Sequence, residues 1–177
     1  MPPPPTSSSA PPRSTRTTPA PVAAAPAADH ASLFRSAALF SSILKTKPAP
    51  SAKSPLILAV DDSKGLRSFV QKTLRPFACD VHEATNGFNA FFAIERARPD
   101  LILLDVNMPI MDGVETLRRI KSTTELQAIP VIMLPSPADH AVFDTLTALK
   151  ADGLLVKPFN ETALLEKIRT VLDLKPT

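Results

Sequence analysis

Runs of unbroken apolar residues, too short to be long helices and stopped abruptly by charge, constrain this chain more than any other feature. Leu56–Val60 stops at Asp61–Asp62, Leu101–Leu104 stops at Asp105, and Gly153–Val156 stops at Lys157. Pro130–Leu134 is a further run, and Val81–Ala84 a shorter one. Between them the apolar spacing changes to three and four. Leu66, Phe69, Val70 and Leu74 follow Ser63; Ala90, Phe91 and Ile94 follow Asn86–Gly87; Val114, Leu117 and Ile120 follow Asp112. Val142, Leu146 and Leu149 mark a fourth helix with His140 on it, and Leu164, Leu165, Ile168 and Leu172 a fifth. Ser63 opens a helical pattern, and Asp112 is a predicted helix cap with Glu115 three residues on. Strand and helix thus alternate five times. Continuous rather than alternating apolar strands predict a parallel sheet covered on both faces, in right-handed βαβ units. The expected fold is a doubly wound α/β domain with its site beyond the carboxyl ends of the strands.

The chain ahead of the first run has a different texture. Residues 1–28 are Pro-, Ser- and Ala-rich, offer little to bury and are expected to be disordered. In residues 29–46, Leu33, Ala37, Phe40 and Leu44 recur at helical spacing and predict one amphipathic helix, marginal unless it packs on something. Residues 47–54 read as a linker, and 55–174 as the folded domain. Residues 1–54 hold six Lys/Arg against one acid, a net of +5, whereas 55–177 hold 14 against 16, a net of −2. The basic character belongs to the tail, so direct nucleic-acid binding is not expected. No run reaches the roughly 18 apolar residues that cross a bilayer. The lone Cys79 excludes an intramolecular disulfide and a multi-cysteine zinc site. The four isolated glycines give no dinucleotide fingerprint. His82 and His140 are too far apart in sequence to suggest a metal pair.

The residues that end the strands carry the chemistry. A parallel sheet brings Asp61, Asp62, Asp105 and Lys157 to one edge. Carboxylates gathered there repel one another unless a cation neutralises them. An all-oxygen ligand set favours a hard ion such as Mg²⁺. The lysine supplies a point charge for a phosphoryl oxygen, and a carboxylate in such a place can act as nucleophile and become an aspartyl phosphate.

Asp61–Asp62–Ser63, then DLILLDVNMPIMDG from Asp100 to Gly113, then PVIML from Pro130 to Leu134, then Lys157–Pro158–Phe159 resemble, in register, the receiver domain of bacterial response regulators. The resemblance implies a flavodoxin-like five-stranded sheet in the order 2-1-3-4-5. It implies Asp105 as phosphoacceptor, Asp61 and Asp62 as Mg²⁺ ligands together with Asp105, and Asn107 as a ligand through its backbone carbonyl. Lys157 would pair with the phosphoryl group and precede a cis peptide bond to Pro158. The implied partners are a histidine kinase or phosphotransfer protein and a downstream protein target, in the cytoplasm. The implied chemistry stops at self-catalysed phosphoryl transfer and slow autodephosphorylation; no other enzymatic activity is expected.

Two positions depart from the family pattern. Pro135 stands where a Thr or Ser hydroxyl ends the fourth strand, and Leu154 where the fifth strand carries Tyr or Phe. Ser136 falls where a backbone N–H meets the phosphoryl group. The switch set is therefore Pro135, Ser136 and Leu154, and an alternative reading is a pseudo-receiver that binds without switching. No output domain is read after residue 174, so output is expected from the receiver surface or the N-terminal segment. Phe88 and Phe92, four apart on the second helix, point away from the Ala90/Phe91/Ile94 side. With Leu33 and Phe40 they form the expected partner-binding set, including self-association through the tail.

Overall fold

The computed structural model describes residues 54–177. The expectations for residues 1–53, including Leu33 and Phe40, lie outside it. The elements alternate as predicted: β1 (Leu56–Val60), α1 (Lys64–Leu74), β2 (Asp80–Ala84), α2 (Gly87–Arg96), β3 (Leu101–Asp105), α3 (Gly113–Ser122), β4 (Val131–Leu134), a 3₁₀ turn (Pro137–Val142), α4 (Phe143–Ala148), β5 (Gly153–Leu154) and α5 (Glu161–Arg169). All strand pairs are parallel and the order is β2-β1-β3-β4-β5. This is the doubly wound, flavodoxin-like sheet that the run pattern and the resemblance imply.

β3 and β4 are buried at every position, as continuous apolar strands covered on both faces should be. On one face Ile57, Ala59, Leu101, Leu103, Ile132 and Leu134 pack against Val70 and Leu74 of α1 and Leu164 and Ile168 of α5. The alternating residues Leu58, Val60, Ile102 and Leu104 are equally buried, as are Ala90 and Ile94 of α2 and Leu117 and Ile120 of α3. β2 is the exception. As an edge strand it exposes Asp80, His82 and Glu83, which is why only part of it reads as apolar.

The helix starts are set by side chains. Ser63 Oγ accepts from Leu66 N–H, Asn86 Oδ1 from Asn89 N–H, Asp112 Oδ1 from Glu115 N–H and Asn160 Oδ1 from Ala163 N–H. Each satisfies an amide that the helix's first turn leaves unpaired. Glu115 does not return a bond to its cap; its carboxylate goes to Arg118 and Arg119 instead.

Several boundaries differ from the sequence reading, and α4 keeps only Leu146 of its expected stripe, with Val142 and Leu149 flanking it as caps. His140 lies in the 3₁₀ turn rather than on a helix, because Ser136, Pro137 and Asp139 fix a tight turn before α4 begins. The last helix stops at Arg169, short of Leu172. β5 is two residues long rather than four. Lys157 N–H donates to Pro135 C=O at 2.8 Å, but the reciprocal ladder bond from residue 135 has no donor because proline lacks the N–H. Contacts continue to the last residue: Phe77 and Pro176 form an antiparallel bridge, and Thr177 N–H donates to Pro76 C=O at 3.0 Å.

Candidate functional site

β1 and β3 are neighbours, so their ends deliver Asp61, Asp62 and Asp105 together. One carboxylate oxygen from each lies within 4.8 Å of the others. Asp61 and Asp105 are buried, whereas Asp62 is exposed. Lys157, from the loop after β5, reaches across with Nζ donating to Asp61 Oδ2 and to Asp105 Oδ1, each at 2.7 Å. The Lys157–Pro158 bond is cis, and the ring of Phe159 sits 6.1 Å from that of Phe69 on α1, tying this loop to the core. Gly113 brings α3 close behind the site. A Cβ there would stand 1.9 Å from the carbonyl oxygen of Asp105, so this helix start fits only without a side chain.

The hydrogen bonds divide the carboxylate oxygens. Asp61 Oδ1 accepts from Ser63 N–H, and Asp105 Oδ1 from Val106 N–H as well as from Lys157. Among the described residues, Asp105 Oδ2 and both Asp62 carboxylate oxygens accept no hydrogen bond, and none of these oxygens is sealed from solvent. Burial pushes the Asp105 carboxyl up; the Lys157 hydrogen bond pulls it back and the neighbouring Asp61 charge adds to the rise, leaving it above the ordinary range. Burial disfavours the Lys157 ammonium, but its bonds to Asp105 and Asp61 outweigh that and hold its pKa above the usual lysine value. Two buried carboxylates against one ammonium leave net negative charge, and an oxygen of the exposed Asp62 lies within 4.8 Å of both. That donor set fits a hard divalent cation held by Asp61, Asp62 and Asp105.

Two residues that sequence reasoning missed shape the site. Arg67 is buried; its Nη1 donates to the carbonyls of Asp61 (2.7 Å) and Asp62 (3.2 Å), and its Nε to Glu83 Oε2 (3.0 Å). It fixes the backbone that presents both acids. The signal was a lone arginine three residues before Val70 and seven before Leu74, on the buried face of α1. The second is Asp139 in the 3₁₀ turn. Its Oδ2 accepts from Ser136 N–H and Oγ–H, both at 2.6 Å, and its Oδ1 from Asn107 Nδ2 at 2.7 Å. Burial raises the Asp139 pKa, yet the bonds from Ser136 and Asn107 outweigh it and hold the group below the ordinary range.

The other expected residues fall as follows. Asn107 is exposed, with its side chain on Asp139. Pro135 is buried at the end of β4, and Leu154 is half-buried on β5. Phe92 is 52% exposed, but Phe88 is half-buried; the two rings meet edge to face at 4.9 Å. Cys79 is half-buried. A cleft of about 520 Å³ lined by Gln71, Lys72, Arg75, Cys79 and Asp80 opens at the opposite edge of the sheet, away from the acids. Among the described residues, no helix is long and apolar enough to cross a membrane.

Known proteins are similar to this chain in sequence and fold. A family model for the response regulator receiver domain matches residues 57–169. Protein PilG of Pseudomonas aeruginosa is 35% identical over 115 residues, 64% of this chain and 84% of that protein. Chemotaxis protein CheY1 of Helicobacter pylori is 34% identical over 120 residues, 66% of this chain and 95% of that protein. Among solved structures, chemotaxis protein CheY4 of Vibrio cholerae matches with a TM-score of 0.63 and 35% identity, over 67% of this chain and 99% of that one. The receiver domain of a Pseudomonas aeruginosa sensor histidine kinase, solved with a magnesium ion coordinated in its active site cleft, matches with a TM-score of 0.61 and 25% identity, over 67% and 97%. By its strand order, its acid edge and the span of this match, the chain belongs to the response regulator receiver domain family.

Proposed function

We propose that residues 55–174 act as a receiver that accepts a phosphoryl group on Asp105 from the phosphohistidine of a histidine kinase or phosphotransfer protein, and signals to a downstream protein in the cytoplasm. The observation that carries this reading is Lys157 Nζ shared between Asp61 and Asp105 at 2.7 Å each, with Asp62 beside them. Asp105 Oδ2, which no described residue occupies, attacks phosphorus. The P–O bond forms as the P–N bond breaks, and the electron pair returns to the imidazole of the donor. Lys157 stays on the acceptor side as a fixed positive charge against the phosphoryl oxygens. A Mg²⁺ ion held by Asp61, Asp62, Asp105 and the backbone carbonyl of Asn107 would supply further charge neutralisation there. Arg67 holds the loop of the first two ligands in place. Reversal is hydrolysis: water attacks the acyl phosphate, releasing inorganic phosphate and restoring the carboxylate.

The test is incubation with acetyl phosphate and Mg²⁺ followed by intact mass. Wild type should gain one phosphoryl group and Asp105→Asn none, since an amide is not a nucleophile of this kind. Equal gain in both would overturn the assignment.

Pro135 and Leu154 favour a second reading, in which the domain binds partners without switching. It predicts that any phosphoryl group gained in the same experiment leaves the amide resonances of the 137–142 turn and of β5 unmoved. For Phe88 and Phe92 the occupant we favour is the Leu33/Phe40 stripe of the same chain. The linker of residues 47–54 spans at most roughly 26–29 Å, enough to cross a small domain. Deleting residues 1–46 should then shift the α2 amide resonances; unchanged resonances would remove that role.

A further inference from the structure

We infer that Asp139 is a displaceable strap across the mouth of the phosphorylation site, holding in the unphosphorylated chain the hydrogen-bond donors that a phosphoryl group on Asp105 would take. This inference rests on Asp105 being the acceptor.

The position of the strap follows from the sheet. β3 and β4 are last paired at Asp105 and Leu134. Two residues further along each strand come Asn107 and Ser136, and the Asp139 carboxylate bridges these two. Lys157 is tied to both sides of the same gap: its N–H goes to Pro135 C=O, and its ammonium to Asp105. Ser136 therefore opens onto the space above Asp105. Both its donors, the N–H and the Oγ–H, are committed to a single oxygen, Asp139 Oδ2.

A phosphoryl group on Asp105 carries close to two negative charges where the unmodified carboxylate carried one, and sets several strong acceptor oxygens next to the Asp139 carboxylate. It competes for the same two donors and repels the acid that holds them. The strap and the phosphoryl group are then alternative occupants of one set of donors. A modification can shift an equilibrium only through contacts that differ between two states. The three bonds to Asp139 are such contacts. Their release frees the Asn107 side chain and uncaps the 3₁₀ turn of Pro137–Val142, whose start Ser136 and Asp139 fix. The chain thereby has a route from Asp105 to the surface before α4 that needs neither a hydroxyl at 135 nor a ring at 154.

Beryllofluoride with Mg²⁺, a phosphoryl mimic that binds the acceptor carboxylate, tests this in the full chain. In wild type, saturation should move the Asn107 side-chain amide and the Ser136 backbone amide resonances together. In Asp139→Ala those two resonances should already be displaced without the mimic, and half-saturation should fall by about three- to tenfold, the scale of losing a competing hydrogen bond or two. Asp139→Asn, which keeps the shape of the turn, should move in the same direction by less. An unmoved Asn107 amide in saturated wild type overturns the strap. So does unchanged affinity in Asp139→Ala and Asp139→Asn, provided their remaining amide spectra are native. If wild type binds no beryllofluoride, the assignment of Asp105 fails and the strap fails with it.

Discussion

At the β1–β3 end of the sheet's carboxyl edge, Asp61, Asp62 and Asp105 face Lys157, with open carboxylate oxygens and a buried arginine steadying the loop. At the β4–β5 end, Pro135 offers neither hydroxyl nor N–H, Leu154 is aliphatic, and the ladder stops after two residues of β5. The first end holds the groups that our proposal assigns to phosphoryl transfer. The second lacks the groups by which the family reports it, and a carboxylate from the 3₁₀ turn holds Ser136 instead. The difference teaches that the two tasks of a receiver are physically separable. Acceptor chemistry depends on charges converging from β1, β3 and the Lys157 loop. Readout depends on what β4 and the turn after it can exchange.

Removing the lysine should have the largest effect. Lys157→Ala leaves two buried carboxylates without their shared ammonium, and phosphorylation by acetyl phosphate should slow by about 100-fold or more, the scale of losing one preorganised charge contact. A loss of only a few fold would mean that Lys157 is structural and the first end less complete than described. Gly113→Ala comes next. Its Cβ would collide with the Asp105 carbonyl, so α3 must shift, costing about 1–3 kcal/mol in denaturant unfolding. Wild-type stability for this variant would show that the close approach behind Asp105 is not required.

Pro135→Thr sharpens the second end. It returns a donor to the β4–β5 ladder, worth about 0.5–1.5 kcal/mol. Hydrogen exchange at Leu155 and Lys157 should slow severalfold, and unchanged exchange would show that something other than the missing N–H shortens β5.

The smallest effects distinguish the two acids by sign. The folded-state pKa of Asp105 is raised, so its ionisation opposes folding. That penalty is absent below the unfolded value of about 4 and sets in as pH rises through the folded value. The pKa of Asp139 is lowered, so its ionisation favours folding. That contribution is complete above about 4 and is lost as pH falls through the folded value. Without Mg²⁺ at pH 7, Asp105→Asn should raise Tm by a few degrees and Asp139→Asn should lower it. The Asp105→Asn difference should vanish as pH falls towards about 4, and the Asp139→Asn difference should shrink only below about 4. Shifts of the same sign would erase the electrostatic distinction between the two ends.

Much of the first end is readable in the sequence because each part is marked locally. An apolar run ends in Asp61, another in Asp105 and another in Lys157, and the parallel sheet converts those endings into one edge. Ser63 and Asp112 announce their helices for the same local reason. The second end is harder to read. Asp139 looks like an ordinary exposed acid near a proline, and only the pairing of Asp105 with Leu134 reveals that Asn107 and Ser136 come within its reach. Arg67 is visible only when a charge on the buried face of α1 is noticed. β5 is overestimated because Gly153–Val156 is apolar throughout, while its length is limited by a missing donor on the neighbouring strand.

The most direct test of the separation between chemistry and readout is backbone amide shift mapping of the full chain in constant Mg²⁺, with and without acetyl phosphate, beside Asp105→Asn. The account predicts large shifts at Asp61, Asp62, Asp105 and Lys157, shifts through Ser136–His140, little change at Leu154, and none of this in the variant. Silence around Asp105, or changes at Leu154 as large as those at Asp105, would contradict it.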